Sequence, residues 1–487
     1  MYKRQIYDLP RVKKFEKKYN QEKIDKYIQS IEAELEELDY NDPKDKRKIV
    51  SREQKISNIK AGIFTTKKEQ ELIRPINLGS SVDLPALMYS EEGFHFEVIK
   101  NNESGKPSTD EETLTNLRLT VKKPDSPKAI FLDRLLELRG LEKMYKTYIE
   151  GWNEKVQDDD RLHGRFLIHG TTSGRLSSAE PNAQQIPKTS VDPNIKLQLK
   201  APKGTLYIAS DFSQAELRIM AHLSGDETYL NAFNSGQDPH LAIAATKYHI
   251  PYEEALKIYE DENHPEHKIW KVRRKQAKQI AFGLIYGIGA KLLAVKLSDP
   301  KSGIIVTPEE AQKEMDIFFG QHPKLKTFLK KQEKFLRKNG HLVSLFGRKR
   351  RLPQIYSNDK GEEAYALRLA LNFPCQSAAS DMCLFGSILI YYLMRQGKLP
   401  STKSVCLVHD ANYQITKPEN INIWSIYEMW QIYRNPLTKP YFGFQIDDVT
   451  MDMEFVIGRS MAEELPFIPG YDYKKMLEPD FSVEEYM

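Results

Sequence analysis

Cysteine is scarce, with only Cys375, Cys383 and Cys406 in 487 residues. An odd number without paired CxxC spacing argues against a disulfide framework and a thiolate zinc site, and it predicts reduced, buried thiols in a cytosol-like compartment. Long hydrophobic runs are missing too: no stretch reaches the roughly 18 uncharged apolar residues of a membrane span. The N-terminal MYKRQIYDLP has no apolar segment of the kind that directs secretion. Charge of one sign is nearly lacking, because Lys+Arg 72 against Asp+Glu 68 leaves only +4. Bulk charge therefore identifies no nucleic-acid binder, and only its distribution can inform. No internal repeat of about 20–50 residues is visible. Together these absences set the expectation of a soluble, intracellular protein.

What is present is the composition of a globular chain, 40% hydrophobic, 29% charged and 10% aromatic, which rules out disorder for most of it. At about 150 residues per unit, the length predicts about three domain-sized units. Residues 1–75 hold 19 basic and 14 acidic side chains, so the excess charge sits there. Further basic clusters run from Lys268 to Lys278, from Lys324 to Lys338 and from Arg348 to Arg351.

Val12, Phe15, Tyr19, Ile24, Ile28, Ile31, Leu35 and Leu38 fall at three- and four-residue steps, the face of a helix. A second helix around Ile56, Ile59 and Ile63 follows the turn at Asn41-Asp42-Pro43, giving a basic helical hairpin. A polar loop at Asn101–Thr109 precedes a helix from Pro127 to about Glu150 with Leu132, Leu135, Leu136 and Leu141 inward. Leu206–Asp211 reads as a buried strand ending in a carboxylate, and Ser404–Val408 as a second that runs into Asp410. Mainly helical patterns fill residues 214–346 between them.

Arg274, Lys278, Phe282 and Tyr286 advance by four, so two cations and two aromatics share one helical stripe. Such a stripe can hold a nucleotide end to end, with donors for the triphosphate and flat surface for sugar and base. A solvated basic turn followed by core aromatics reads equally well from spacing alone. Asp211 and Asp410 could supply hard oxygen ligands to two Mg²⁺ ions for phosphoryl transfer. The bland alternatives are a helix-capping Asp211 and a hairpin turn at His409-Asp410 between Cys406-Leu407-Val408 and Tyr413-Gln414-Ile415.

Taken together and in order, these segments resemble the polymerase region of the family A DNA polymerases, the group of bacterial DNA polymerase I and many phage replicative enzymes. Asp211–Arg218, continuing through Ala221-His222-Leu223-Ser224-Gly225-Asp226, resembles motif A. Arg274 to Tyr286-Gly287 resembles motif B, and Val408-His409-Asp410 resembles motif C. Upstream, Thr172-Ser173-Gly174-Arg175-Leu176-Ser177-Ser178 with Pro181-Asn182, Gln184 and Ile186-Pro187 resembles the primer-template segment. The similarity runs from about Ile76 to about Pro466.

The resemblance implies an α+β fold of right-hand polymerase architecture: an N-terminal helical extension at 1–75, a thumb at 76–150, a palm with an antiparallel sheet at 151–222 and 351–487, and helical fingers at 223–350. It implies DNA-directed DNA synthesis from dNTPs on primer-template DNA, with two Mg²⁺ ions, for which Mn²⁺ can substitute, held by Asp211 and Asp410. Lys278 is implied as a catalytic acid and, with Arg274, His240 and Gln214, as a nucleotide ligand. Glu216 is implied to exclude a 2′-hydroxyl, Phe282 to govern dideoxynucleotide acceptance, and Tyr286 to flank the nascent pair. Arg175, Asn182, Gln184, Arg368, Asn372, Gln376 and His409 are implied DNA contacts. Hydrogen bonds to minor-groove acceptors suit a polymerase, since these are nearly the same for every base pair.

Three departures stand out. Ala411 follows Asp410 where the family usually has Glu, and Ala281 precedes Phe282 where a polar residue is common. The roughly 75 residues before the thumb-like region are too few for a proofreading domain, so proofreading is expected to be absent here, or supplied by a separate chain or a removed portion; a separate exonuclease or processivity subunit is a compatible partner of a monomer in a bacterial or phage-infected cytoplasm. An organellar source is equally compatible. A single-subunit RNA polymerase is the nearest alternative, against which Glu216 and the Arg175 segment argue; a catalytically dead DNA-binding module is the other, against which intact Asp211, Lys278 and Asp410 argue.

Overall fold

Proline in the first turn and aspartate just before it start several helices of the computed structural model. It describes residues 2–102, 104–121, 123–187, 192–298, 306–399, 402–408, 410–434, 438–479 and 481–483. His409, an expected DNA contact, lies outside the described residues. The chain forms two units, one built mainly from Met1–Lys146 and the other from Thr147–Leu297 with Val306–Met487.

In the first unit α1 (Pro10–Glu36) and α2 (Pro43–Lys60) make the expected hairpin, and Asp42 caps α2 by accepting from the backbone N–H of Lys44. Ile28, Ile31 and Leu35 pack on Ile49, Ile56 and Ile59. Ile63 lies beyond the end of α2 and is exposed, not inward. The start of α1 belongs elsewhere: Val12 and Phe15 join Ile76, Leu84, Phe94, Leu114 and Phe131 in one core. Residues on both sides of position 75 therefore share a single apolar cluster. That core ends with Leu138 on α3 (Pro127–Met144), which leaves Leu141 exposed where the spacing placed it inward.

The second unit is organised by a five-stranded antiparallel sheet. A short ribbon of β1 (Arg165–Leu167) and β2 (Ser177–Ala179) precedes it, and β3 (Leu206–Phe212) forms its centre. The helices α4 (Ala215–Ser224), α5 (Pro239–Lys247), α6 (His267–Ile285) and α7 (Pro323–Asn339) follow. A second ribbon, β4 (His341–Val343) with β5 (Lys349–Arg351), leads to the long α8 (Lys360–Arg395). The chain then returns through β6 (Lys403–Val408) and β7 (Ala411–Thr416), α9 (Ile423–Arg434), β8 (Met453–Gly458) and β9 (Glu464–Pro466), giving the order β6-β7-β3-β8-β9.

Strand alternation sends successive side chains to opposite faces. Leu206, Ile208 and Phe212 enter the main core with Ala378, Ala379 and Met382 of α8. Tyr207 and Ala209 face the other way, against Ala411, Tyr413 and Met461. The strand β6, read from sequence as buried, is instead an edge strand whose Lys403, Ser404 and Val405 are exposed. Among the described residues α8 is the one helix long and apolar enough to cross a membrane, with 44% of its apolar window buried inside the protein. Its Asp381 pairs with Arg348 at 2.6 Å, so this is a core helix of the fold.

A buried hydrogen bond fixes the junction of α7 with the preceding helix Pro308–Gln321. His322 Nδ1 lies 3.0 Å from Asp226 Oδ1, with the two side chains 0% and 2% exposed. The ring sits between Tyr229 and Phe318, 4.8 and 4.4 Å away. His322→Ala removes one of the hydrogen bonds to the buried Asp226 carboxylate, which keeps its bond from the Tyr229 backbone N–H, and opens a cavity between Tyr229 and Phe318, so it is expected to lower the unfolding free energy by about 2–4 kcal/mol. Urea denaturation measures this; a loss under about 0.5 kcal/mol, the range of an ordinary surface change, would contradict it.

Candidate active site

Asp211 is the single exposed residue of a strand whose other six are buried. It does not cap α4, since Gln214 occupies that position in the left-handed conformation, φ 59°. Asp410 stands in the β6–β7 turn, where Val408 pairs with Ala411 and Cys406 with Tyr413. The hairpin reading of this segment was thus right, and it coexists with a site. The β3–β7 register pairs Asp211 with Ala411. Asp211 thus faces Ala411, one position past Asp410, and two acids separated by 410 − 211 = 199 residues come to line the same cleft, close enough for the charge of Asp410 to act on Asp211.

On its other side Asp211 pairs with Glu454 of β8. Ala411, Asp211 and Glu454 therefore form one row on one face of the sheet. Glu454 is a residue that sequence reasoning missed: its strand alternates legibly, but no local signal gives its register against β3. Under the row, Asn412 Nδ2 donates to Tyr433 Oη at 3.0 Å and to Ser387 Oγ at 3.2 Å. Ser210 Oγ donates to the Asn412 carbonyl at 3.3 Å, and Cys383 Sγ donates to the Asp410 carbonyl at 3.6 Å. This buried network ties β3, β7, α8 and α9 together directly behind the acids.

Although Asp211 opens to solvent, the cleft around it strips away part of its hydration, and this desolvation, reinforced by the charges of Asp410 and Glu454, pushes its pKa up to about 6. Asp410 Oδ1 is buried without a hydrogen-bond partner, and the crowding of like charge around Asp211 is of the kind that a cation relieves. Hard carboxylate oxygens of this sort fit Mg²⁺, which keeps several positions for water and substrate oxygens. Among the described residues no group of three or more His, Cys, Asp or Glu could hold a metal by itself. Glu454 therefore adds negative charge to the row without closing a protein-only cage.

Glu216 is not the surface acid that its place on a helix would suggest. It is buried and accepts from Arg175 Nη2 with one oxygen and from Tyr286 Oη with the other. Arg175 Nη2 also lies 3.6 Å from Asp410 Oδ1. Burial raises the Glu216 pKa, and the two donors oppose that rise. Arg175, Asp211, Gln214, Glu216, Phe282, Tyr286 and Asp410 line one cleft of about 550 Å³.

The stripe on α6 continues from this cleft. Phe282 and Tyr286 stack with centroids 6.3 Å apart, Tyr286 sitting just past the helix end, and Lys278 Nζ is 5.8 Å from the Phe282 centroid. His240 is 1% exposed with neither ring nitrogen hydrogen-bonded, and its ring is 5.7 Å from Phe282. Burial and the nearby charges of Arg274 and Lys278 hold its pKa down at about 4, so it is neutral at pH 7. Arg274 Nε donates to Asp238 Oδ2 at 3.0 Å, and Asp238 Oδ1 caps α5 through the N–H groups of His240 and Leu241. Asp238 was also missed, although Asp before Pro at a helix start is a legible cap signal.

Two glycines bring the remaining segments in. Gly287, φ 67°, packs so closely on α8 that a Cβ would meet Arg368 Cα at 3.2 Å. This sets the end of the stripe against the helix that carries Arg368, Asn372 and Gln376, where Asn372 Oδ1 is buried without a partner. Gly174, φ 86°, leaves room for the Arg348 guanidinium, 2.4 Å from where a Cβ would stand. Asn182 and Gln184 act on backbone instead: Asn182 accepts from the Gln184 N–H at 3.0 Å, and Gln184 Nε2 donates to the Leu407 carbonyl at 3.2 Å.

An antiparallel sheet carrying two juxtaposed acids beneath a cation–aromatic helix defines the right-hand polymerase class of fold. The family model described as DNA polymerase family A matches residues 46–425, and the chain belongs to that family. It is 32% identical over 319 residues to the thermostable DNA polymerase I of Thermus aquaticus, covering 65% of this chain and 35% of that protein. It is 32% identical over 336 residues to DNA polymerase I of Pseudomonas aeruginosa, covering 69% and 33%. The chain thus spans about a third of the length of these curated relatives. A solved structure, the POL domain of Pol1 from M. smegmatis in complex with DNA primer-template and dNTP, superimposes with a TM-score of 0.64 at 28% identity, covering 80% of this chain and 62% of that one.

The raised pKa of Asp211 has a definite sign in stability. Its ordinary value is 3.8 and its folded value about 6, so the folded state holds the proton longer and is progressively disfavoured as pH rises from about 4 to about 6. With chelator present, Asp211→Asn is expected to be more stable than wild type at pH 7–8, with the advantage shrinking towards pH 4. Melting temperatures across that range test it; equal melting at pH 7.5 would refute it.

Proposed function

We propose that this chain is a DNA-directed DNA polymerase that extends a primer with dNTPs, and the observation that carries the reading is the register placing Asp211 beside Asp410. In this reading residues 151–222 and 351–487, which hold the five-stranded sheet, form the palm, the helical segment 223–350 the fingers, and the first unit the thumb with its N-terminal hairpin. Asp211 and Asp410 would hold the divalent cations. When bound, such ions lower the pKa of the primer 3′-hydroxyl and offset charge at the α-phosphate.

The chain's own groups supply the rest. Lys278 and Arg274 offer cationic donors to the triphosphate, and Lys278 is the group poised to give a proton to departing pyrophosphate. Arg274 exchanges part of its contact with Asp238 for phosphate oxygens. His240, neutral and with both nitrogens free of hydrogen bonds, has donor and acceptor capacity ready for an incoming phosphate. Gln214 and Phe282 border the sugar. Glu216, pinned between Arg175 and Tyr286, presents a fixed wall beneath the ribose that excludes a 2′-hydroxyl. Arg368, Asn372, Gln376 and Arg175 contact primer and template, with Asn182 and Gln184 supporting the backbone around them. Two acids of the N-terminal hairpin are engaged in ion pairs, Glu34 with Arg52 at 2.9 Å and Glu32 with Lys60 at 3.8 Å, and 3′→5′ excision is assigned to no site in this hairpin.

Asp211→Ala or Asp410→Ala is expected to slow primer extension by more than about 10³-fold, the order set by losing a transition-state charge partner, while gel-shift affinity for primer-template is retained. Extension near the wild-type rate by either variant would overturn the proposal. Glu454→Gln is expected to lie between wild type and these variants.

Glu216→Ala removes both the wall and the shared acceptor of Arg175 and Tyr286. It is expected to raise ribonucleotide incorporation relative to dNTP, and Phe282→Tyr to raise dideoxynucleotide incorporation. Competition of each analogue against its dNTP measures the two independently, and an unchanged ratio would refute the corresponding role.

A further inference from the structure

Arg175 is held at its two ends and not between them. Its guanidinium meets Glu216 and comes within 3.6 Å of Asp410 Oδ1, while its Nε is buried without a hydrogen-bond partner among the described residues. Its carbonyl accepts from Thr171 Oγ1 at 2.7 Å, which closes the turn Thr171–Arg175 on itself. That turn is part of the loop joining β1 to β2, a ribbon only three residues long on each side. Where the guanidinium lands therefore depends on what holds the turn from outside.

Arg348 fills the space over it. Gly174 is buried in a left-handed conformation, φ 86°, and a Cβ there would stand 2.4 Å from both Cζ and Nε of Arg348 and 2.6 Å from its Nη2. The guanidinium thus occupies the volume that a side chain at position 174 would need. Glycine is required here twice, once for its backbone and once for this contact.

Arg348 is in turn fixed from two directions. Its Nη2 donates to Asp381 Oδ1 at 2.6 Å and its Nε to Oδ2 at 3.4 Å, a two-pronged pair with an α8 side chain that is only 11% exposed. Its own segment is a tight turn, in which the Ser344 N–H donates to the Arg348 carbonyl at 2.8 Å and the Arg348 N–H to the Oγ of buried Ser344 at 3.1 Å. Phe346 in that turn packs edge-on against Phe442 and Phe444, 4.9 and 5.0 Å away. A surface ion pair needs no glycine beneath it. The collision that a Cβ would make shows that the pair and the Arg175 turn are fitted to one another.

We propose that Arg348, held by Asp381, is a positioning residue: it fixes the Gly174 turn in the place from which Arg175 reaches Glu216 and Asp410. The inference rests on the polymerase reading and adds to it a residue that acts on the cleft through another, without touching nucleotide or primer. One chain of contacts, from Asp381 to Arg348, Gly174, Arg175 and Glu216, joins α8 and the β4–β5 ribbon to the cleft. A displacement of about 1 Å at a reacting group can cost about a hundredfold in rate, so a smaller shift of this turn still registers in extension.

The test is a double-mutant cycle in the full chain, read by single-turnover primer extension at saturating dNTP. Arg348→Ala is expected to slow extension about tenfold in the wild-type background but less than about twofold in an Arg175→Ala background, because a residue that acts through Arg175 then has nothing left to position. Asp381→Ala should behave in the same way. Arg348→Lys keeps the charge but neither the two-pronged pair nor the planar contact with Gly174, so it should be as slow as Arg348→Ala. Primer-template affinity by gel shift should stay within about twofold of wild type in these Arg348 and Asp381 variants, since no phosphate contact is lost. An equal loss of rate in both backgrounds, a wild-type rate in Arg348→Ala or Asp381→Ala, or rescue by lysine overturns the inference. Loss of DNA affinity in Arg348→Ala that lysine restores does so too, and makes Arg348 a phosphate contact. Failure of the wild type to extend a primer at all would instead count against the polymerase reading itself.

Discussion

The register of β3 against its two neighbours is the constraint on which the rest of this site depends. Side chains in a sheet alternate with a period of two, so a slip of one residue between β3 and β7 would send Asp211 into the core and bring Ser210 or Phe212 to the cleft. The protein fixes the register from behind. Ser210 and Asn412, the residues beside the paired Asp211 and Ala411, point inward and join Ser387 and Tyr433 in a buried hydrogen-bonded network. Buried polar groups lose their bonds if the strands slip, which makes the network a register lock as well as a link to α8 and α9.

The same sheet accumulates a cost at its open end. Asp410 and Glu454 stand near Asp211 and raise its pKa, so the site in its free state is electrostatically strained. A structure under selection for stability alone would place fewer acids there. The strain has a use if a cation occupies the row, because the repulsion that destabilises the free protein becomes affinity for positive charge. Glu216 works by the opposite logic. Its carboxylate is buried yet satisfied from two directions, so Arg175 before the sheet, α4 after β3 and Tyr286 at the end of α6 are held in one place by a single side chain.

Much of the site was legible in the chain because its chemistry is local. The four-residue spacing from Arg274 to Tyr286 and from Arg368 to Gln376 fixes a helical face wherever the helix goes. Strands ending at Asp211 and Asp410 could be read from their apolar runs. The edge position of β6 and the exposure of Leu141 could not, since both depend on where a neighbouring layer stops. Asp238 was legible as a cap but not as the partner of Arg274, because the pair joins residues 36 positions apart.

The sequence by itself determined the family, the helical stripe, the two acids and the hairpin that carries one of them, since each is written in residues a few positions apart. Only the tertiary structure decided which side chains meet across long separations. It set Glu454 beside Asp211, turned Glu216 from a surface acid into a buried hub, and left His240 buried without a hydrogen-bond partner. The physical reason is that spacing fixes which face a residue occupies on its own element, whereas register and packing, set by the chain as a whole, fix what that face encounters.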